Sequence, residues 1–496
     1  MSIRSLREYV EALQKKGEVN EVNREVDWNL EMGLMTRRCY ETGAPVPLFT
    51  NVKGSPGFRA AGALHSESGR PGQRWSRVAL SVGLEADAHP REIIDHLVAA
   101  RERDLIPPRV VEIGPCKQNK LFGADVDLSI LPCPIPHNGD GGRYLNTLGM
   151  IVCQTPDGSW TSWSVARVMI IGKDKGAGVI APFQHVGMVM AEWRKIGKDM
   201  PFAIALGVEP AAIYAAGAPL PDRMSEVDFT GALVGEPIEV VPCETVPLHV
   251  PASTEIVIEG HVSITELGLE GPMGEYGGYI HPPFSIPQPV YNVSAMTWQD
   301  DAIFPFAIAG EPPEEDHTIT GVMGSMEVVA LLREAGVPVS WAWHTTESAI
   351  GWLAIAVPDT WSEYEPDAVE FCKKVADIAW ATKAGDGAKT VIVVNDDIDV
   401  ADLRTLVWAI DGRNDRGERG QIPVKDRLNW PVSPYLNPDF GNYPAGWKAT
   451  RLVMNCLPPE GVPHPPRTAF EINCPKSLKE KILANWESDG FPEVFR

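Results

Sequence analysis

The sequence is short of the features that tie a chain to a membrane or to an oxidising compartment. No uninterrupted apolar run approaches the ~20 residues of a membrane span, and Met1 to Arg7 lead into a charged amphipathic stretch rather than an apolar signal region. Eight cysteines are spread over 496 residues without a C-x-x-C pair, which reads as reduced, mostly buried thiols. A cytoplasmic protein with no membrane partner is the expectation. Positive charge is scarce too: 44 Lys and Arg stand against 66 Asp and Glu, a net charge of -22. A nucleic-acid partner needs a basic surface and is not expected. A small anion held by a few local cations remains compatible. The sequence also lacks G-x-x-x-x-G-K-[ST], H-E-x-x-H, G-x-S-x-G, and any G-x-G-x-x-G between a strand and a helix. Kinase-like, zincin, α/β-hydrolase and ordinary dinucleotide chemistry lose their usual support.

What is present suffices for more than one core, with 44% hydrophobic residues. A helix opens at Ser5, with Glu8 as its capping-box partner, Leu6, Tyr9, Val10 and Leu13 at helical spacing, and Gly17 after the stop. Such helices and short apolar runs, including 93–99, predict an N-terminal α/β lobe over 1–105. Over 106–320 proline and glycine become frequent. Short alternating runs appear at 146–154, 164–171, 238–241, 254–258 and 290–297, with a turn at Pro156-Asp157-Gly158 and one helical insert at 186–196. That texture predicts a sheet or barrel domain. A second α/β domain is expected over 321–475, from a helix bearing Val328, Val329, Leu331 and Leu332 and a strand at 390–394. Asp396, Asp397 and Asp399 read as an acidic turn after that strand rather than a metal site. Residues 476–496 predict a terminal helix, boxed by Ser477 and Glu480, that packs on its own chain or on a partner subunit.

Three segments place polar residues where a strand would rather be apolar. The run 160–167 ends in Arg167, and an Arg on a half-buried strand calls for an anion or a carboxylate nearby. Gln184 and His185 stand at the mouth of a helix, where free N–H groups and an imidazole suit a phosphate or a metal. Glu270 and Glu275 lie five apart in a glycine-rich loop, and two carboxylates around one Arg make an acid–base set. Each segment singly has a plainer reading: a solvent-facing Arg, a packing His, two solvated carboxylates.

Together the segments resemble the UbiD family of prenylated-FMN-dependent decarboxylases, especially the ferulic acid and pyrrole-2-carboxylate decarboxylase branch. The likeness runs through P-D-G-S-W at 156–160, W-S-x-A-R at 163–167, Gln184-His185 and P-L-P-D-R-M-S-E at 219–226. It continues through E-G-P-M-G-E at 270–275, E-D-H-T at 315–318, K-A-G at 383–385 and N-D-D-I-D-V at 395–400. The resemblance implies an α/β fold around a central split β-barrel related to flavin reductases, and a terminal helix reaching across a homodimer. It implies Arg167 as the clamp on the substrate carboxylate, Glu270 as the group that orients and tunes that Arg, and Glu275 as the proton donor. Prenylated FMN, made by a separate flavin prenyltransferase, would lie along Ser162, Trp163, Ser164, Val165, Ala166 and Arg167, with Gln184, His185, Glu226 and Lys383 around it. Its phosphate would be held through Mn2+ (or Mg2+) by His185 and Glu226, and directly by Lys383. A K+ ion would use carbonyls at Trp163, Ala215, Ala216 and Ala218, with Glu226 shared. Where the ferulic branch has an Asn metal ligand this chain has Ser162, a shorter donor that leaves room for a water.

The cofactor of the resembled family supplies an electrophilic carbon and an electron sink, leaving orientation and a proton to the protein. The substrate pocket would be walled by Gln184, Met273, Asp316, Thr320 and Trp430. Asp316 suits a ring N–H, and Thr320 stands where relatives carry a larger side chain. A bicyclic acid such as indole-3-carboxylate is therefore the expected substrate for a reversible, non-oxidative decarboxylation that yields CO2, with pyrrole-2-carboxylate and cinnamate or ferulate-type acids as alternatives. A flavin-binding reductase or a metal hydrolase on a related barrel is the alternative of another class, and an inactive partner subunit a third. Electron transfer alone does not need the Arg167, Glu270 and Glu275 set, and an inactive subunit would have lost one of the three.

Overall fold

The computed structural model describes residues 3–280, 286–428, 448–459, 462 and 465–491. The first helix, Leu6–Lys15, buries Leu6, Tyr9, Val10 and Leu13 as their spacing requires. Ser5 accepts from the Glu8 amide at 3.1 Å, but Glu8 takes the Arg4 amide at 2.7 Å. The expected capping box is therefore only half formed. The apolar residues at 93–99 belong to the helix Pro90–Arg101, capped by His89. Nearby, Val19–Val22, Val46–Phe49 and Phe58–Gly62 form a four-stranded sheet that is completed by Ala302–Phe306, parallel to Phe58–Gly62. A strand from the far end of the 106–320 span thus closes the sheet of the first lobe, so a cut at 105 does not separate the sheets.

The centre is a nine-stranded antiparallel sheet. Its path runs Tyr144–Asn146, Val168–Gly172, Lys175–Gly178, Ile286–Trp298, Ile256–Glu270, Met200–Leu206, Gly149–Gln154, Thr161–Ser164, with Asn119–Phe122 against Ile286–Trp298. Its two longest strands pair with register shifts after Glu259 and Val262, and such bulges bend a strand. At the first shift a Cβ on Gly260 would lie 1.9 Å from the Asn292 carbonyl oxygen. Only glycine fits there. The helical insert is His185–Lys195.

The C-terminal part packs Gly321–Glu334 and Ala368–Trp380 on a five-stranded sheet ordered Trp341–His344, Trp352–Val357, Thr390–Asn395, Lys448–Asn455, Gln421–Leu428. Its parallel strands from Leu353 to Val357 and from Thr390 to Asn395 are wholly buried, as parallel strands covered on both faces should be. The molecule is thus an α/β fold with an antiparallel sheet between two α/β parts. The last helix, Lys476–Asn485, starts before Ser477 with Pro475 at its cap and no side-chain cap bond. Its expected box is not formed, and Leu478, Ile482 and Leu483 are exposed. All eight cysteines are free. Among the described residues no helix is long and apolar enough to cross a membrane.

Candidate active site

Arg167 is not on a strand. The chain leaves the ladder after Thr161–Ser164 and rejoins it at Val168–Gly172, and Arg167 ends the three-residue gap. Freed from the pleat, its side chain reaches two carboxylates. Nε donates to Glu270 Oε1 at 2.9 Å and Nη2 to Glu270 Oε2 at 3.2 Å, a two-pronged pair. Nη1 donates to Glu275 Oε1. Burial opposes the Arg167 charge, but Glu275 and Glu270 outweigh it and lift its pKa above the usual arginine value. Glu270 is the last residue of the strand Ile256–Glu270 rather than a loop residue. It also accepts from the Tyr144 hydroxyl at 2.9 Å. Burial first, and the Glu270 charge second, raise the pKa of that phenol, so it stays neutral and donates. Glu275 lies in a tight turn, where its amide donates to the Tyr279 carbonyl at 3.0 Å and its carbonyl accepts from Gly278 at 2.9 Å. Gly278 has φ +84, which a side chain would strain.

A second cluster stands where two helices begin. His185 and Glu226 are first residues of His185–Lys195 and Glu226–Val234. His185 Nδ1 lies 2.6 Å from Glu226 Oε1, and Glu226 Oε2 accepts from the Trp163 amide at 2.9 Å. Burial raises the Glu226 carboxyl, opposed by His185. The other imidazole nitrogen, Nε2, is buried without a hydrogen-bond partner, 3.6 Å from Asp222 Oδ1. Lys383 donates to the same Asp222 oxygen at 3.0 Å. A buried, unpartnered imidazole nitrogen beside a carboxylate is the donor set that a hard divalent cation takes, and Lys383 fits an anion next to it. Among the described residues no group of three or more His, Cys, Asp or Glu surrounds one point. A cation here would therefore need ligands beyond these side-chain types, such as carbonyl or hydroxyl oxygens or water.

The second cluster borders a cavity of about 270 Å³. Of the expected residues, Trp163, Ser164, Val165, Gln184, His185, Ala216, Ala218, Glu226, Asp316, Thr320 and Lys383 line it. Ser162 does not; its hydroxyl lies 3.2 Å from that of Ser164, both buried. Ala166 and Ala215 also fall outside the lining, and the Ala215 carbonyl accepts from the Ala218 amide at 3.1 Å. Met273 packs with Tyr144, Met169 and Ala309 rather than facing the cavity. Trp430 lies outside the described residues. Arg167, Glu270 and Glu275 are not among the lining residues, but the charges of Glu275 and Arg167 act on Asp316, which is.

Asp316 and Thr320 come from one π turn, Asp316–Thr320, leading into Gly321–Glu334. The wider turn turns both residues to the cavity. Burial pushes the Asp316 carboxyl up to about 6, with Glu275 adding and Arg167 opposing. Its neighbour Glu315, also in the lining, is pushed by burial to about 7. Sequence reasoning missed Tyr144, Asp222, Tyr276 and Glu315. Asp222 and Glu315 sit inside segments already singled out, whereas Tyr144 carried no local signal.

Arg167 between two carboxylates, and His185, Glu226, Asp222 and Lys383 grouped at the cavity, make a set suited to acid–base chemistry on an anion. Three family models match consecutive pieces of the chain: the 3-octaprenyl-4-hydroxybenzoate carboxy-lyase N-terminal domain over 10–97, the Rift-related domain over 109–312 and the C-terminal domain over 317–446. The chain is 41% identical over 499 residues to the pyrrole-2-carboxylic acid decarboxylase of Pseudomonas aeruginosa, spanning 98% of each. It is 35% identical over 499 residues to ferulic acid decarboxylase 1 of Saccharomyces cerevisiae, again 98% of each. The structure of the UbiD-class enzyme HmfF from Pelotomaculum thermopropionicum in complex with FMN matches with a TM-score of 0.81 at 25% identity, over 97% of this chain and 100% of that one. The chain belongs to the UbiD family of decarboxylases, in the branch of the pyrrole-2-carboxylate and ferulic acid enzymes.

Proposed function

We propose that the chain catalyses the reversible, non-oxidative decarboxylation of a heteroaromatic acid of the indole-3-carboxylate type, with prenylated FMN as cofactor. The observation that carries this reading is Arg167 held between Glu270 and Glu275, near enough to the cavity-lining Asp316 for the charges of Arg167 and Glu275 to act on it. The domain division follows that given by the sequence, except that the strand Ala302–Phe306 belongs to the sheet of the N-terminal lobe, and the central sheet acts as the split β-barrel that seats the flavin. His185 and Glu226 hold the phosphate through Mn2+ or Mg2+, Lys383 meets it directly, and Ser162 contributes at most through water. Carbonyls at Trp163, Ala215, Ala216 and Ala218 take K+. The working form is a cytoplasmic homodimer supplied by a separate flavin prenyltransferase.

When bound, the flavin supplies the electron sink that loss of CO2 from an sp2 carbon requires. The residues supply the rest. The two-pronged face of Arg167 is already taken by Glu270, so the substrate carboxylate meets the guanidinium at Nη1. It displaces Glu275 there. Glu270 keeps the guanidinium plane fixed while this happens. Glu275, released from Arg167 and protonated, then delivers its proton to the carbon that CO2 has left. Asp316 accepts the ring N–H, and Thr320 leaves room for a second ring. The test is CO2 release by the reconstituted protein from indole-3-carboxylate, pyrrole-2-carboxylate and cinnamate, with the absorption and mass spectrum of the bound flavin. Turnover of the bicyclic acid with a prenylated flavin mass is expected. Preference for cinnamate would overturn the pocket reading, and release from none of the three the whole.

A further inference from the structure

We infer that His317 and Asp140 are positioning residues that bracket Glu275 and set its reach toward the reacting carbon; this rests on reading Glu275 as the proton donor. His317 is fully buried on the Asp316–Thr320 turn. Its Nδ1 accepts from the Glu314 amide at 3.2 Å and lies 3.1 Å from Glu314 Oε1. A neutral imidazole that accepts at one nitrogen carries its proton on the other. Nε2–H therefore donates to the Tyr276 carbonyl, 2.8 Å away. Burial pushes the imidazole down to about 4 and the Glu314 carboxyl well up. The imidazole is then neutral near pH 7, and the Glu314 amide on Nδ1 favours the tautomer that carries its proton on Nε2.

Tyr276 directly follows Glu275, and its own ring lines the cavity, edge-on to His317. On the other flank Asp140 Oδ1 accepts from the Gly274 amide at 3.0 Å. Asp140 is itself fixed, because Oδ2 accepts from the His137 amide at 2.8 Å. The hydrogen bonds among Glu275, Gly278 and Tyr279 shape the turn without tying it to a wall. Asp140 and His317 provide two fixed points outside it, one residue before Glu275 and one after. His317 stands on the same turn as Asp316 and Thr320, so a single hydrogen bond registers the acid against the pocket wall.

The test compares His317→Leu, which removes the donor, with His317→Gln, whose amide can reach the same carbonyl. His317→Leu is expected to lower kcat about 10- to 100-fold, the scale of a small misplacement of a reacting group. The KM for the acid and the flavin content should stay near wild type, and the solvent deuterium isotope effect on kcat should rise. In flavin-free protein, amide exchange across 274–279 should quicken. His317→Gln should restore both kcat and exchange protection. Equal losses in the two variants, or an unaltered kcat in His317→Leu, would overturn the inference. Should His317→Leu not fold, Asp140→Asn reads the other anchor by the same kcat, isotope and exchange measurements, and no change in them overturns it. If Glu275→Gln itself keeps turnover, the donor assignment is what has failed.

Discussion

Arg167 cannot serve Glu270, Glu275 and a substrate carboxylate equally, and the geometry ranks them. Two bonds at 2.9 and 3.2 Å hold Glu270, whereas Glu275 meets a single nitrogen. Glu275 is the partner that yields. Glu275→Gln keeps the shape and removes the proton, so turnover should fall by roughly 10²–10⁴ with flavin still bound. Wild-type rates in purified, flavin-loaded Glu275→Gln would sink the assignment. At the proposed anchor, Glu226→Ala strips the buried His185 of its carboxylate and, on the proposed reading, removes a metal ligand. The purified variant should lack both flavin and manganese by absorbance and metal analysis after gel filtration. Stoichiometric flavin in that variant would exclude the role. Asp316 carries a pH signature. Its carboxyl, raised by burial to about 6, is neutral below that pH and ionised above it. An ionised acceptor binds a ring N–H more strongly. The ratio of kcat/KM for indole-3-carboxylate over cinnamate should therefore rise between about pH 5 and 7, and Asp316→Ala should flatten it. A flat ratio in wild type would remove Asp316 from substrate recognition.

At the scale of elements, periodicity made the simple pieces legible: the helix after Ser5, the insert beginning at His185, the helix before Gly336 and the strand from Thr390. It failed where tertiary geometry interrupts the pattern. The run from Ser164 to Ile171 alternates well enough to pass for one strand, yet it breaks at Val165-Ala166-Arg167 so that Arg167 can turn to the carboxylates. The long strand Ile256–Glu270 hides in sequence because its bulges disturb the alternation. Pairing of Ala302–Phe306 with Phe58–Gly62 is a non-local choice that no window contains. Of the site, the charged residues were legible through motifs, while Tyr144 and the route from Glu314 through His317 to Tyr276 exist only in the fold. Gly260 tests the bulge that delivers Glu270. Gly260→Ala would drive its new methyl into the Asn292 carbonyl, and unfolding should become easier by about 1–3 kcal/mol. A lowered Tm with a weakened clamp, seen as a raised KM for the acid, is expected. An unchanged Tm would mean that the two long strands can shift without cost.

At the scale of the molecule, the terminal helix leaves large apolar residues that the single chain does not cover. Leu478 and Ile482 share a face by helical spacing, with Leu483 next to Ile482, and the three are 52%, 41% and 55% exposed. Ten residues of isolated helix are marginal in water, so Lys476–Asn485 needs a packing surface to persist. Its apolar stripe is short and flanked by charge, with Lys479, Glu480 and Lys481 between the leucines, a pattern suited to a protein surface rather than to a lipid one. A second copy supplies that surface in the homodimer proposed above. Leu478→Glu together with Leu483→Glu places two charges on the stripe, and their desolvation on docking would be costly. Light scattering after gel filtration should then find monomer where the wild type gives dimer. The helix is remote in sequence from every residue of the proposed site, so flavin loading of that monomer should persist. A double variant that still runs as a dimer would move the interface elsewhere on the molecule and leave the exposed helix without its partner.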